Sequence, residues 1–152
     1  MKLEEILSWE GWLVYRIKGV SMLPMLRQEK DLVVIEKPEG RLEKYDVALY
    51  KRGEDYVLHR VIGLRDDGYI IRGDNTYALE MVPEEDVIGV LTAFIRNGKK
   101  IQADDVRYRL YVRFWCAAYP AITQCRRFSR GVRGAARRLG ITPVIKKILR
   151  LG

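Results

Sequence analysis

Residues 56–75 read YVLHRVIGLRDDGYIIRGDN. A run dominated by Val, Leu and Ile, a charged corner ending in Asp67-Gly68 and a second run, GYIIRG, predict two strands over 56–64 and 68–73 folded back as a tight hairpin. Working outward, the same grammar recurs in WLVYRI (12–17), DLVVIE (31–36), DVALYK (46–51) and VIGVLTAFIRNGKKI (87–101). Pro38-Glu39-Gly40, Arg52-Gly53 and Asn97-Gly98 punctuate these runs. Short, β-branched segments spaced by turn signals predict a mostly β fold: a compact antiparallel domain with several runs buried on both faces. Residues 3–7 carry Leu3, Ile6 and Leu7 on one side and precede Gly11, which predicts a short amphipathic helix.

Charge divides the chain. Its 152 residues carry a net +8, yet every Asp and Glu lies at or before Asp105, while 12 Arg or Lys follow Val106. The expected organisation is therefore a β-rich domain over 1–105 and a basic helical tail over 106–152. Tyr108, Tyr111, Val112, Trp115, Tyr119 and Ile122 recur at helical spacing, with Pro120 marking a kink or break. Cys125, Phe128, Val132, Ala136 and Leu139 continue the pattern among arginines, ending at Gly140. Thr142 and Pro143 then suit the N-cap and first position of a last helix running through Leu151.

No run approaches the roughly 18 apolar residues of a membrane span, and the N-terminus MKLEEILSWEGWLVYRIKG lacks the pattern of a secretory signal. The expected location is cytoplasmic, with the cytoplasmic face of the membrane open to the tail. Cys116 and Cys125 are expected as free thiols. With His59 the only histidine and no Cys-x-x-Cys pair, neither a metal nor another cofactor is expected.

Chemistry concentrates in few places. By strand alternation His59 shares a face with Val57 and Val61, either as a buried ring satisfied by backbone groups or as a general base on a rigid strand. Ser21 lies in GVSMLP, where a Gly/Pro-marked bend suits either turn chemistry or a nucleophile on a corner. Asp74, in the turn after the second hairpin strand, and Glu80, just beyond it, supply carboxylates. A serine needs a base to take its proton, and a histidine base works best when a carboxylate fixes its tautomer. Ser21, His59 and one of those acids contain the required types.

In order and spacing, GVSMLP, YDVALYKR, YVLHRVIG and IIRGDN resemble the signature segments of the signal-peptidase-like serine peptidases, which include self-cleaving repressors. The resemblance covers about residues 15 to 95, and His59-Arg60-Val61 is similar to the histidine-base branch of that family. It implies a β-rich catalytic domain with Ser21 as nucleophile and His59 as general base. The supporting aspartate of the histidine branch falls here on Glu80, with Asp74 as substitute or the Ser-His dyad acting alone. It also implies an oxyanion hole of backbone N–H groups at the Ser21 corner and a substrate-facing corner of Gly19, Met22 and Pro24. The expected activity is a serine endopeptidase acting on a peptide or protein precursor. The rivals are a non-catalytic peptide-binding module on the same fold and a repressor-like, nucleic-acid-associated protein using the tail. A departure from the family is expected at the ends, the 20 residues before Ser21 being read as neither a membrane anchor nor a helix-turn-helix. For the tail itself, residues 107–152, three roles are open: a solvated face, peripheral contact with an anionic membrane, and, less favoured, nucleic-acid binding.

Overall fold

The computed structural model describes residues 2–138, with side chains through residue 124. Helix α1 (Leu3–Glu10) ends at Gly11, whose φ of 76° is left-handed and comes at no steric cost to glycine. Eight strands follow: β1 (Trp12–Arg16), β2 (Leu32–Glu36), β3 (Val47–Arg52), β4 (Asp55–Arg65), β5 (Gly68–Arg72), β6 (Glu80–Pro83), β7 (Val87–Arg96) and β8 (Lys99–Gln102). They form one antiparallel sheet in the order β1-β2-β7-β3-β4-β5-β6, with β8 also on β7. The protein is thus mostly β, as expected.

The turn signals work, though not all for one reason. Asn97 and Gly98 both take positive φ, 51° and 77°, and split the expected 87–101 run into β7 and β8. In the β4–β5 hairpin Asp66 and Asp67 make the corner, and Gly68 is already paired with Arg65. Gly68 is required on its other side: a Cβ there would lie 2.3 Å from the Val82 carbonyl oxygen of β6. Strand β6 was not expected. It is four residues long and completes the edge beside β5, pairing Ile71 with Glu80.

Both faces of the central strands are covered, as β3 illustrates: Val47, Ala48, Leu49 and Tyr50 are all buried. Val47 and Leu49 join a core with Leu7, Leu13, Ile35, Leu58 and Leu91. Ala48 and Tyr50 join a second with Val61, Tyr69, Ile71 and Val82. Each large apolar side chain fully buried in these cores contributes about 1.5–3 kcal/mol.

The chain divides into two compact units after Cys116. Helix α2 (Val106–Arg138) starts where the acidic residues end. Asp105 caps it, its Oδ1 accepting from the N–H groups of Arg107 at 2.8 Å and Tyr108 at 3.2 Å. Within the first unit, Tyr108 and Val112 join the larger core and Cys116 packs against it as a free thiol. Pro120 lies inside the helix, so of the expected kink or break the break is not found. The Cys125–Leu139 side chains, and the last helix expected after Gly140, lie outside the described residues. Among the described residues no helix is long and apolar enough to cross a membrane.

Candidate active site

Register decides which side chains meet. Tyr50 stands opposite Val57, Ala48 opposite His59, Val61 opposite Ile71, and Ile71 opposite Glu80. Paired residues share a face, and so do alternate residues along a strand. Tyr50, His59 and Glu80 therefore project from one side of β3, β4 and β6, and Arg60 from the other. On the first side a cluster forms. His59 Nδ1 lies 3.2 Å from the Tyr50 hydroxyl and 3.3 Å from Glu80 Oε1. The Tyr50 O–H donates to Glu80 Oε2 at 2.8 Å, and Arg52 Nη1 donates to the same carboxylate at 3.4 Å.

This arrangement assigns the histidine tautomer. Tyr50 has one hydrogen and spends it on Glu80, so towards His59 its oxygen can only accept. The neighbouring Glu80 carboxylate also accepts. A proton on Nδ1 satisfies both groups, and Nε2 then carries the basic lone pair. Burial lowers the His59 pKa below its usual 6.5, with Glu80 pulling the other way and Arg52 reinforcing the decrease. Burial also pushes the Tyr50 hydroxyl up, helped by its hydrogen bond to Glu80, so it remains a donor.

Nε2 lies beside Gly73, which also packs against the Ser21 backbone. A Cβ on Gly73 would lie 2.8 Å from the Ser21 carbonyl oxygen and 3.0 Å from His59 Nε2. Only a residue without a side chain allows the serine loop and the imidazole to close on that point. Two residues on, Asn75 anchors the loop: its N–H donates to the Ser21 carbonyl at 2.7 Å, and its Nδ2 to the Val20 carbonyl at 3.1 Å. Gly19, at φ 86°, makes the entry turn in a conformation other residues rarely adopt. After Ser21, Met22, Met25 and Leu26 sink into the larger core. Asp31, fully buried, accepts from the Arg27 N–H at 2.9 Å and ion-pairs with Arg96, closing the loop at its far end. Burial is the largest single influence on Asp31 and opposes its charge, but the hydrogen bonds from Arg96 and Arg27 and the Arg96 charge together outweigh it and hold the carboxyl below its usual range.

Ser21, His59 and Glu80 line one cleft of about 740 Å³, together with Gly19, Met22, Arg52 and Thr76. Pro24 follows a cis peptide bond and is not among its lining residues. Met22 lines the cleft mostly through buried surface, being 4 % exposed, so its larger part is a loop anchor.

Asp74 goes elsewhere. Both its oxygens are taken by Arg60, Nε to Oδ1 at 2.8 Å and Nη2 to Oδ2 at 2.6 Å, with both side chains buried. Arg60 Nη1 donates to the Tyr45 carbonyl at 2.9 Å and reaches the Tyr108 hydroxyl at 3.4 Å. The carboxylate at His59 is that of Glu80; Asp74 braces the 73–76 turn from the opposite face. Three contributors escaped the sequence reading. Tyr50 and Arg52 are carried by the β3–β4 hairpin register, and Arg60 is a charge in an apolar strand facing away from His59, which itself calls for a buried counter-ion.

No protein-family model and no curated protein matches the chain.

Proposed function

We propose that the protein is a serine endopeptidase of the signal-peptidase-like type, acting on a peptide or protein precursor held in the cleft beside Ser21. The Ser21 hydroxyl transfers its proton to His59 Nε2 as Oγ bonds to the scissile carbonyl carbon. Charge develops on the carbonyl oxygen, and backbone N–H groups at the Ser21 corner receive it. The imidazolium lies against Glu80, which stabilises it and keeps the ring oriented, while Tyr50 and Arg52 hold the carboxylate. Nε2 then returns its proton to the leaving amine, the C–N bond breaks, and water attacks the acyl-enzyme by the same route. The observation that supports this reading is the two-sided histidine: Nδ1 occupied by Tyr50 and Glu80, Nε2 beside Gly73 at the point where the Ser21 backbone also closes in.

The test is labelling by a fluorophosphonate and turnover of a library of precursor peptides with small residues before the cut. Wild-type protein is expected to label and cleave, and Ser21→Ala and His59→Ala to do neither. Equal turnover by wild type and Ser21→Ala removes the nucleophile. Peptide binding of undiminished affinity with no cleavage by any form would assign the cleft to a binding module instead.

A further inference from the structure

The first turns of α2 show two opposite faces. Tyr108 and Val112 are buried in the core of the first unit. Away from them stand Val106, Leu110 and Phe114, each four residues after the last, which places them in one row along the helix. They are 70 %, 61 % and 73 % exposed, more than any core-directed residue of the helix. Arg107, Arg109 and Arg113, all exposed, flank this row. Beyond Asp105 the chain holds 12 Arg or Lys and no acid.

We propose that this face of α2 is a docking surface for an anionic lipid bilayer, with Val106, Leu110 and Phe114 entering the headgroup–acyl boundary and the arginines meeting lipid phosphates. Two features select this occupant. The row is apolar and aromatic with cationic margins, which is the composition of a helix lying in a membrane interface, where long arginines bury their stems and keep their heads with the phosphates. With 12 Arg or Lys and no acid beyond Asp105, the excess positive charge repels a second copy of the same face, so self-association through it is disfavoured, whereas each arginine near an anionic surface gains attraction. A nucleic acid satisfies the charge alone and leaves the phenylalanine and leucine against water.

The experiment is co-sedimentation of the full chain with phosphatidylcholine–phosphatidylglycerol vesicles and with pure phosphatidylcholine vesicles. Wild type is expected to bind the anionic vesicles and to bind the neutral ones far more weakly. Because Leu110 and Phe114 are solvent-facing, Leu110→Ser/Phe114→Ser keeps the fold, verified by an unchanged unfolding midpoint. It should lose about tenfold or more of the anionic-vesicle binding, since two large apolar groups no longer enter the interface. Arg107→Glu/Arg113→Glu should lose binding as well. Vesicle binding untouched by the serine pair would overturn the proposal, leaving attraction by charge alone. So would tighter binding to duplex DNA than to vesicles, equal in wild type and the serine pair.

Discussion

Gly73→Ala is the sharpest probe of the proposed site, because a single methyl group meets the serine loop and the histidine at once. The new Cβ would stand 2.8 Å from the Ser21 carbonyl oxygen and 3.0 Å from both His59 Nε2 and Thr76 Oγ1. Ordinary contact begins near 3.4 Å, so the carbonyl must withdraw by about 0.6 Å and the ring nitrogen by about 0.4 Å. The carbonyl is not free to move cheaply, being held by the Asn75 N–H at 2.7 Å. Overpacking of this kind costs about 1–3 kcal/mol of stability. A displacement near half an ångström between nucleophile and base, when a full ångström costs on the order of 100-fold, should lower turnover about 10-fold or more. Gly40→Ala is the control: a Cβ there meets nothing within 4 Å and its φ is not positive. The measurements are urea unfolding and the second-order rate of fluorophosphonate labelling, taken on folded protein. Labelling of Gly73→Ala at the wild-type rate, with a clear loss of stability, would show that Gly73 packs the turn without setting the geometry between Ser21 and His59.

Further outcomes follow from the same contacts. Tyr50→Phe removes both the donor to Glu80 and the acceptor for Nδ1–H, and kcat should fall about 10-fold with little change in KM, a split read from steady-state kinetics. Asp74→Asn leaves a buried guanidinium against a neutral amide and should cost about 3–5 kcal/mol in denaturant unfolding, far more than Glu80→Gln at its partly exposed site. His59, with its pKa lowered by burial, should stay an active base below its ordinary 6.5, so the acid limb of kcat/KM lies under that value. The same shift means the unfolded chain binds the extra proton first; the contribution to stability is complete above pH 6.5 and is lost as pH falls towards the folded pKa, which pH-dependent unfolding of wild type against His59→Gln would register.

Much of the sheet was legible because its cues are local. β-branched runs between Gly, Asn and Asp corners mark β1 to β5 and β7 to within a residue or so, and the Asn97-Gly98 pair shows where β7 turns into β8. Strand β6 was not, because EMVP has neither the length nor the alternation of a strand and is recruited only by the open edge of β5. For a related reason Pro120 does not end the helix. Its effect on a helix depends on whether neighbouring groups absorb the lost N–H, and the sequence does not carry that context.

The choice between Asp74 and Glu80 shows where local reading ends and register begins. Counted along the chain, Asp74 is nearer to His59 and sits in the stronger motif. In space, alternation sends Arg60 and His59 to opposite faces of β4, and each draws the acid that its own face can reach. Arg60 lies in low dielectric and must be neutralised, so it claims both oxygens of Asp74. Glu80 is left for His59, because β6 returns antiparallel to β5 and sets residue 80 opposite Ile71, on the histidine side. The two acids thus do different work on one turn. Asp74 fixes the 73–76 backbone through Arg60, that backbone fixes the Ser21 loop through Asn75, and Glu80 fixes the ring that faces it. GVSMLP and IIRGDN form the two sides of one hydrogen-bonded contact, from Asn75 to Val20 and Ser21. YDVALYKR and YVLHRVIG are the hairpin that sets Tyr50 beside His59. Altering one segment should therefore weaken the others, as non-additive losses in a cycle pairing Asn75→Ala with Tyr50→Phe would reveal.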